Sequence, residues 1–237
     1  MKQHGFTLAE VLITLTIIGV IAALTVPTLM KKWKENILVN QLKETYAILT
    51  NAYQMAINEH GTPEDWDIND ARKLFNYFKP YLKIEKECGY NVGCFASQYK
   101  ALFNDTYSKQ FDTYQYLDTI WKIKLANGSS VLFDEYYRQC RDVAANTGPW
   151  TKRCGRIFVD VNGTKGPNKA GLDLFAFWIL PQKIHYPDAV MHSKGWVDHD
   201  GEICKYNNTS KANGTYCTGY ALQHGKMDYL RRDISND

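Results

Sequence analysis

The chain has 237 residues, and about 200 of them remain for a folded domain once an apolar N-terminal segment is set aside. That length suits one domain rather than several. The 28 lysines and arginines nearly balance the 25 aspartates and glutamates, so the net charge of +3 neither favours nor excludes a polyanionic partner. Composition therefore bounds the size of the protein but leaves its partners open.

An apolar run follows Gly5 directly and continues to Met30, with Glu10 as its only charge. A helix of about 25 residues reaches roughly 37 Å, which is enough to cross a hydrocarbon core about 30 Å thick. We therefore predict that residues 6–30 form the transmembrane half of an N-terminal helix. A carboxylate in such a segment is unfavourable, so Glu10 is a candidate functional residue.

Two ordinary kinds of apolar segment explain this stretch less well. A secretory signal peptide would have a shorter apolar core without a charge, and it would end in small residues. A plain signal anchor has the right length, but it explains neither Glu10 nor the glycine that precedes the run.

The octapeptide GFTLAEVL at residues 5–12 resembles the class III signal of type IV pilins and type II secretion pseudopilins. The resemblance covers about the first 30 residues closely. It implies that residues 1–5 are a leader, and that prepilin peptidase cleaves after Gly5 and methylates the new N-terminal Phe6 to N-methylphenylalanine. Glu10 then takes the position at which this family places its assembly carboxylate.

The same resemblance assigns assembly roles to Gly19 and Pro27, which lie where the family commonly has helix-loosening residues. Proline removes one helix hydrogen bond and clashes with the carbonyl four residues earlier. The segment between the two residues is therefore where the helix is expected to kink or unwind locally during assembly. The buried carboxylate of Glu10 needs a partner, and the N-terminal amine of a neighbouring subunit's Phe6 would supply it at only one axial stagger.

Six cysteines form three pairs that are close in sequence, and none has the C-x-x-C spacing typical of zinc or thioredoxin-like sites. An even number of cysteines in a chain with an export signal favours disulfides in an oxidising compartment. Although six cysteines allow 15 pairings, we predict the local ones, which are Cys88–Cys94, Cys140–Cys154 and Cys204–Cys217.

The charges that flank the apolar run conflict with export. Lys31, Lys32 and Lys34 follow the run, whereas Lys2 is the one lysine or arginine before it. The positive-inside rule alone would place the C-terminal side in the cytoplasm. The cysteines and the leader, which must be cytoplasmic to meet its peptidase, carry more weight. We therefore predict a single-pass inner-membrane protein whose residues 31–237 form a periplasmic domain, exposed at the cell surface if it is assembled into a pilus.

The helix is predicted to continue beyond the membrane segment, from near Phe6 to near Glu59. Apolar residues recur at helical spacing until Gly61 interrupts the pattern. This stripe is predicted to contact the core of the domain, and its members are Leu38, Leu42, Tyr46, Leu49, Ala52, Tyr53, Ala56 and Ile57.

A short amphipathic helix is predicted next, with Asp67 or Asn69 as its N-cap and a break at Pro80. The segment 87–118 is predicted to be irregular or partly helical. Residues 120–125 alternate at period two and are followed by Asn127-Gly128, a combination typical of a β-hairpin.

Two further strands, at residues 156–161 and 174–180, would complete an antiparallel sheet, and residues 220–224 are predicted to form a helix or a strand. One face of the sheet can then pack on the long helix. The predicted fold class is α+β and pilin-like: a long spine helix packed on a small antiparallel sheet, with disulfide-closed loops.

The loop after residue 160 is a candidate calcium site. Asp160, Asn162 and Asp173 offer oxygen ligands, and a glycine follows the second of them, which suits a hard cation. The EF-hand pattern is not met, because Thr164 replaces an acid and no glutamate closes the loop. The alternative is a plain connection between two strands. The acidic loop at 198–202 is a weaker metal candidate.

No catalytic residue and no required cofactor is predicted, because the sequence has neither an H-E-x-x-H motif nor a G-x-S-x-G elbow. The predicted function is a structural subunit of a type IV pilus or a type II secretion pseudopilus. Its partners would be prepilin peptidase, other pilin or pseudopilin subunits and the inner-membrane assembly platform.

Two other functions stay open at this point. A minor pilin acting as an adhesin or as a DNA-uptake binding subunit is the main alternative. Clustered lysines and aromatic rings would favour nucleic-acid binding, but in the sequence the lysines and tyrosines are dispersed. A monomeric membrane-tethered enzyme is the third class, and it would require a cleft with convergent titratable groups.

Overall fold

The computed structural model describes residues 7–112, 120–134, 140–142, 152–187 and 203–234. Gly5, Phe6 and the acidic loop 198–202 lie outside these ranges. The chain divides into two compact units, Met1–Ile37 and Leu38–Asp237. The helices of the described residues are α1 (Leu8–His60), α2 (Ala71–Phe78) and α3 (Thr218–His224), with 3-10 helices at Lys79–Tyr81, Thr215–Cys217 and Asp228–Leu230.

The first unit contains the N-terminal part of α1. Its apolar side chains from Leu8 to Met30 are exposed to the surroundings rather than packed within the unit. Among the described residues, α1 is the one helix whose length and composition would allow it to cross a membrane, and none of its most apolar 18-residue window is buried. The helix runs without interruption past Pro27 to His60, so the predicted single long helix is confirmed.

The second unit is built on an antiparallel sheet. Its strands, in chain order with a separate two-stranded pair included, are β1 (Ile84–Gly89), β2 (Ile120–Leu125), β3 (Ser130–Asp134), β4 (Arg141–Asp142), β5 (Lys152–Arg153), β6 (Gly155–Asp160), β7 (Leu174–Ile179) and β8 (Ile184–His185). The six-stranded sheet has the order β1-β2-β3-β6-β7-β8, and β4 pairs with β5. This layout, a long apolar helix with an antiparallel sheet, confirms the predicted α+β class.

Helices α1 and α2 cover one face of the sheet. Phe133, Ile157 and Phe177 lie opposite one another in adjacent strands and share this face. Tyr46 of α1 stacks on Phe177 with ring centroids 5.3 Å apart, and Phe78 of α2 lies 5.0 Å from Phe133. The stripe of apolar residues predicted for α1 is therefore the contact between the helix and the domain core.

Loops and the C-terminal segment cover the opposite face. Phe158 contacts Phe111 at 4.8 Å between ring centroids, and Trp178 contacts Tyr216 at 5.6 Å. Strands β3, β6 and β7 are consequently buried along their whole length. Burial on both faces explains why the sequences of β6 and β7 contain continuous apolar runs instead of a simple alternation.

The predicted N-cap of α2 was wrong. The N-cap of α2 is Asp70, whose carboxylate accepts from the Lys73 amide at 2.7 Å, rather than Asp67 or Asn69. Asp67 instead forms an ion pair with the side chain of Lys73 at 2.6 Å. The segment 87–118 was predicted to be irregular or partly helical, and only its residues 87–89 differ, because they end β1, an edge strand with two register shifts against β2. Its other described residues belong to no helix and to no named strand. The predicted break at Pro80 is confirmed by the 3-10 helix that follows α2.

Hydrogen bonds from α1 attach it to the edge of the sheet. The hydroxyl of Tyr46 donates to the backbone carbonyl of Ile184 at 3.2 Å. The side-chain amide of Gln54 donates to the backbone carbonyl of Gln182 at 3.1 Å. The fully buried Tyr53 donates its hydroxyl to the carbonyl of Leu180. Burial raises the pKa of Tyr53, so its hydroxyl stays protonated and remains a donor at every physiological pH.

We expect Tyr53→Phe to lower the free energy of unfolding by about 1–2 kcal/mol, because a buried carbonyl loses its donor. For a domain of this size that corresponds to a fall in Tm of roughly 2–8 °C. Circular dichroism melts of the full chain in detergent would measure it. Tyr46→Phe is the matched control, since Tyr46 is only half-buried, and it should lower Tm less. Equal effects of the two substitutions would show that burial of the Tyr53 hydroxyl is not the cause.

Candidate functional site

The start of α1 places Glu10 in a capping arrangement with Thr7. The Thr7 amide and hydroxyl both donate to Oε2 of Glu10 at 2.8 Å, and the Glu10 amide donates to the Thr7 hydroxyl at 3.3 Å. This reciprocal pattern is a capping box, which satisfies donors that a helix N-terminus otherwise leaves free. Thr7 was missed by the sequence analysis, although its T-x-x-E spacing from Glu10 is a recognisable capping signature.

The capping box reduces the penalty for holding a carboxylate in an apolar segment. One oxygen of Glu10 accepts both hydrogen bonds from Thr7, whereas Oε1 accepts none from the described residues. The carboxylate is therefore oriented by its own chain and still has an acceptor to offer. A cationic partner can approach Oε1 while Thr7 continues to hold Oε2.

The two residues predicted to loosen the helix lie within continuous α1. A Cβ added at Gly19 would meet nothing within 4 Å in the chain. Pro27 lies inside the helix, where it has no amide to donate. Thr25, two residues before it, donates its hydroxyl to the carbonyl of Ile21 at 2.9 Å. Local unwinding during assembly stays a prediction, as do cleavage and methylation at Gly5 and Phe6.

The structure contains three disulfides, and they join the three local pairs expected from the sequence. Cys88–Cys94, Cys140–Cys154 and Cys204–Cys217 have Cα–Cα distances of 6.0, 3.8 and 4.9 Å. Among the described residues no cysteine is free. Each closed loop is short, and closing it removes unfolded-state entropy worth about 2–4 kcal/mol. The disulfides therefore compensate for irregular segments that have little secondary structure of their own.

The loop between β6 and β7 brings Asp160 and Asp173 together beneath the surface. Both residues are fully buried. Asp160 accepts from the Tyr99 hydroxyl at 2.6 Å and from the Asn162 amide at 3.2 Å. Asp173 accepts from the amides of Asn168 and Lys169 at 2.7 and 2.5 Å. Among the described residues, neither carboxylate forms an ion pair.

Burial shifts the titration of both carboxylates. It raises the pKa of Asp160, and the nearby Asp173 raises that pKa further. Burial likewise raises the pKa of Asp173 to about 6, against the opposing effect of the backbone amides of Lys169 and Asn168. Both carboxyl groups therefore become protonated at a higher pH than isolated aspartates do.

The same loop holds two amide oxygens without partners. Oδ1 of Asn162 and Oδ1 of Asn168 are shielded from solvent and accept no hydrogen bond. Buried acceptors are normally satisfied, so such atoms require an explanation. Within the described part of the chain no cluster of three or more His, Cys, Asp or Glu side chains could hold a metal ion. A cation here would therefore depend on amide and backbone oxygens besides the two carboxylates, a donor set that fits calcium.

Comparison with known families identifies the N-terminal segment. Residues 1–26 match the family model described as the prokaryotic N-terminal methylation motif, which is the signal of type IV pilins and pseudopilins. The motif implies a structural protein that prepilin peptidase processes and that assembles with other pilin subunits. Together with the apolar helix, it indicates anchoring in a membrane. Comparison of the chain with curated proteins and with solved structures gave no match.

Proposed function

We propose that the protein is a subunit of a type IV pilus or of a type II secretion pseudopilus. Prepilin peptidase removes residues 1–5 and methylates Phe6, and the mature chain waits in the inner membrane until the assembly platform adds it to a filament. The observation that carries the proposal is the methylation motif at residues 1–26, followed directly by an exposed apolar helix.

The proposed topology places the soluble domain in the periplasm. Three disulfides support this side, because structural disulfides persist in oxidising compartments and are rare in the cytoplasm. The exposed Lys31, Lys32 and Lys34 then lie at the periplasmic end of the membrane segment. Lysine side chains can reach the headgroups from that position, so they tolerate an orientation that the charge bias alone would not select.

The proposed role of Glu10 is to set the axial stagger of the filament. The Phe6 amine of a neighbouring mature subunit would bind the free Oε1 while Thr7 holds Oε2. A subunit in any other register leaves its carboxylate without a cationic partner in an apolar environment, which is unfavourable. The apolar surface of α1 from Leu8 to Met30, exposed in the single chain, would pack against other subunits.

Filament membership is tested by shearing. The full-length chain is expressed beside an active prepilin peptidase and assembly platform, and sheared filaments are analysed by mass spectrometry. We expect the chain in the sheared fraction, beginning at a methylated Phe6. A chain that is processed yet found only in the membrane fraction would count against a filament role and would leave the processing step intact.

A cation at Asp160 and Asp173 is the second part of the proposal. It is supported by the two unpartnered amide oxygens of Asn162 and Asn168, which lie in the same loop as the paired carboxylates. Calcium accepts carboxylate, amide and backbone oxygens in flexible geometries of six to eight ligands. A bound cation would order the connection between β6 and β7 without entering any reaction.

We expect calcium to raise the Tm of the full chain at about pH 7.5 after treatment with a chelator, and to have no effect at about pH 4.5. The sign follows from the raised pKa of Asp173: without a cation, its stabilising contribution is complete below the unfolded value of 3.8 and is lost as pH rises through about 6. Asp173→Asn should remove both the calcium response and this pH dependence.

The control for the calcium experiment is Asp105→Asn. Asp105 is 94 % exposed and pairs with Lys100, so its removal should leave the calcium response unchanged. A wild-type melting curve that is the same with calcium and with chelator at neutral pH would exclude a stabilising cation at this loop.

A further inference from the structure

The exposed apolar surface of α1 continues beyond the end of the apolar run at Met30. Leu29, Trp33 and Ile37 follow one another at intervals of four residues, so they share one face of the helix. All three side chains are exposed, and Trp33 is 57 % exposed although it is the largest of them. We call these three side chains the Trp33 ridge. The unit Met1–Ile37, to which the ridge belongs, does not cover it.

Three lysines surround the Trp33 ridge. Lys32 and Lys34 directly flank Trp33 in sequence. Successive residues are about 100° apart around a helix, so one ammonium group can extend on each side of the ring. Lys31, Lys32 and Lys34 are exposed, and none of them forms an ion pair among the described residues. Glu35, which follows them, is buried and has a partner of its own, so the exposed part of this segment is cationic.

The length of α1 places Trp33 at the level of lipid headgroups. From Leu8, the first residue of α1, to Trp33 the helix extends roughly 38 Å at about 1.5 Å per residue. The hydrocarbon core of a bilayer is about 30 Å thick, and the bilayer with its headgroups is about 40–45 Å thick. A helix that begins at one interface therefore brings Trp33 to the other. Tryptophan is enriched at this level, because its ring is apolar and its N–H group is polar.

An apolar ridge between unpaired cations fits a surface that is apolar and anionic at the same depth. Phospholipids offer both properties, because acyl chains lie directly beneath phosphate groups. The lysine stems can then lie along the apolar part while their ammonium groups reach the phosphates. The same segment of a second copy would cover the ridge, but its described residues 29–37 offer no exposed acidic side chain to the lysines.

We propose that the Trp33 ridge and its lysines bind acidic phospholipids, with the Trp33 ring among the headgroups. The binding sets the depth at which α1 leaves the membrane, because Leu29 remains among acyl chains while Lys32 and Lys34 are held at the phosphates. The inference rests on the membrane anchoring of α1 and goes beyond the filament role. A chain that fails to enter filaments would therefore still show this lipid binding.

The test uses the full chain in nanodiscs that hold one copy each, with nitroxide-labelled lipids that quench tryptophan fluorescence. The chain has six tryptophans, so the difference between the wild type and Trp33→Phe isolates the emission of Trp33. A label at the headgroup should quench this emission more than a label deep in the acyl chain. Labelled phosphatidylglycerol should quench it about fivefold more effectively than labelled phosphatidylcholine, and this preference should fall towards one at about 500 mM salt.

The lysine variant is Lys32→Gln with Lys34→Gln. It should reduce the preference for phosphatidylglycerol to about twofold or less and leave the depth of quenching unchanged, because the ring is still present. The matched control is Lys165→Gln with Lys205→Gln, which removes the same charge from exposed positions of the unit Leu38–Asp237. The control should retain the preference of the wild type.

Four results would overturn the proposal. Equal loss of the preference in both double variants would reduce the effect to net charge. Emission of Trp33 that no labelled lipid quenches would place the ring outside the lipid. Quenching that occurs in nanodiscs but is lost in vesicles holding many copies would assign the ridge to a second copy. Loss of the preference in about 10 mM inorganic phosphate, but not in chloride of equal ionic strength, would show that the lysines bind phosphate rather than lipid.

Discussion

We expect the Gly5→Val protein to keep its leader, so that the chain recovered from the membrane fraction begins at Met1 and lacks the methyl group on Phe6. Cleavage after residue 5 requires a residue small enough for the peptidase site, and the branched side chain of valine would obstruct it. Intact mass spectrometry resolves the outcome, because the processed and unprocessed chains differ by five residues and one methyl group.

The failure of Gly5→Val to be cleaved should also prevent its assembly into filaments. An unprocessed chain has no free amine at Phe6, so it cannot supply the cation that a neighbouring Glu10 is proposed to bind. Gly5→Val should therefore be absent from sheared filaments as well as unprocessed. Gly19→Ala is the control, since a Cβ there meets nothing within 4 Å, and it should be processed like the wild type. A wild-type chain that still begins at Met1 beside an active peptidase would refute the processing model.

The sequence was sufficient to predict an element where its local sequence signals agree with the pattern of burial. The hairpin of β2 and β3 was predicted because alternation in residues 120–125 is followed by Asn127-Gly128. In the structure Gly128 has φ +89, which glycine adopts without strain, and Asn127 accepts from the Ser129 amide at 3.1 Å. The stripe of α1 was predicted for the same reason, since its helical spacing coincides with the face that the sheet buries.

The sequence was insufficient to predict a strand where the register of strand pairing is irregular or the strand is short. Strand β1 contains consecutive charges at Glu85, Lys86 and Glu87 and pairs with β2 through two register shifts, so it shows no period-two pattern. An exposed, charged edge of this kind also discourages pairing with other chains. The two-residue β8 has too few positions for any periodicity to appear.

The candidate functional sites also differ in how far the sequence alone reveals them. Glu10 and its partner Thr7 are three residues apart, so a short stretch of sequence contains both the carboxylate and its cap. The Asp160 carboxylate, by contrast, accepts a hydrogen bond from Tyr99, which lies 61 residues earlier in the chain. The sequence therefore gave no indication that Tyr99 binds a carboxylate of the candidate calcium site.

Replacing Glu10 should abolish incorporation into filaments and leave the soluble domain unchanged. Residue 10 belongs to the unit Met1–Ile37, whereas the sheet and all three disulfides belong to the unit that begins at Leu38. The protease-resistant domain of Glu10→Leu should therefore match that of the wild type in amount and size. Membrane insertion should be at least as efficient, because the substitution removes a charge from an apolar segment.

The capping box makes Glu10→Gln the decisive variant. Glutamine can occupy the same position of a capping box as glutamate, so it keeps the bond from Thr7 and removes only the charge. An amine about 4 Å from the Glu10 carboxylate gains about 4 kcal/mol at an effective dielectric constant near 20, before desolvation is subtracted. If that attraction selects the register, Glu10→Gln fails to enter sheared or cross-linked filaments as completely as Glu10→Leu. Thr7→Val removes the cap but keeps the carboxylate, so it should retain partial incorporation. Normal incorporation of Glu10→Gln would show that Glu10 serves only to begin the helix, and the charge-pairing mechanism would have to be abandoned.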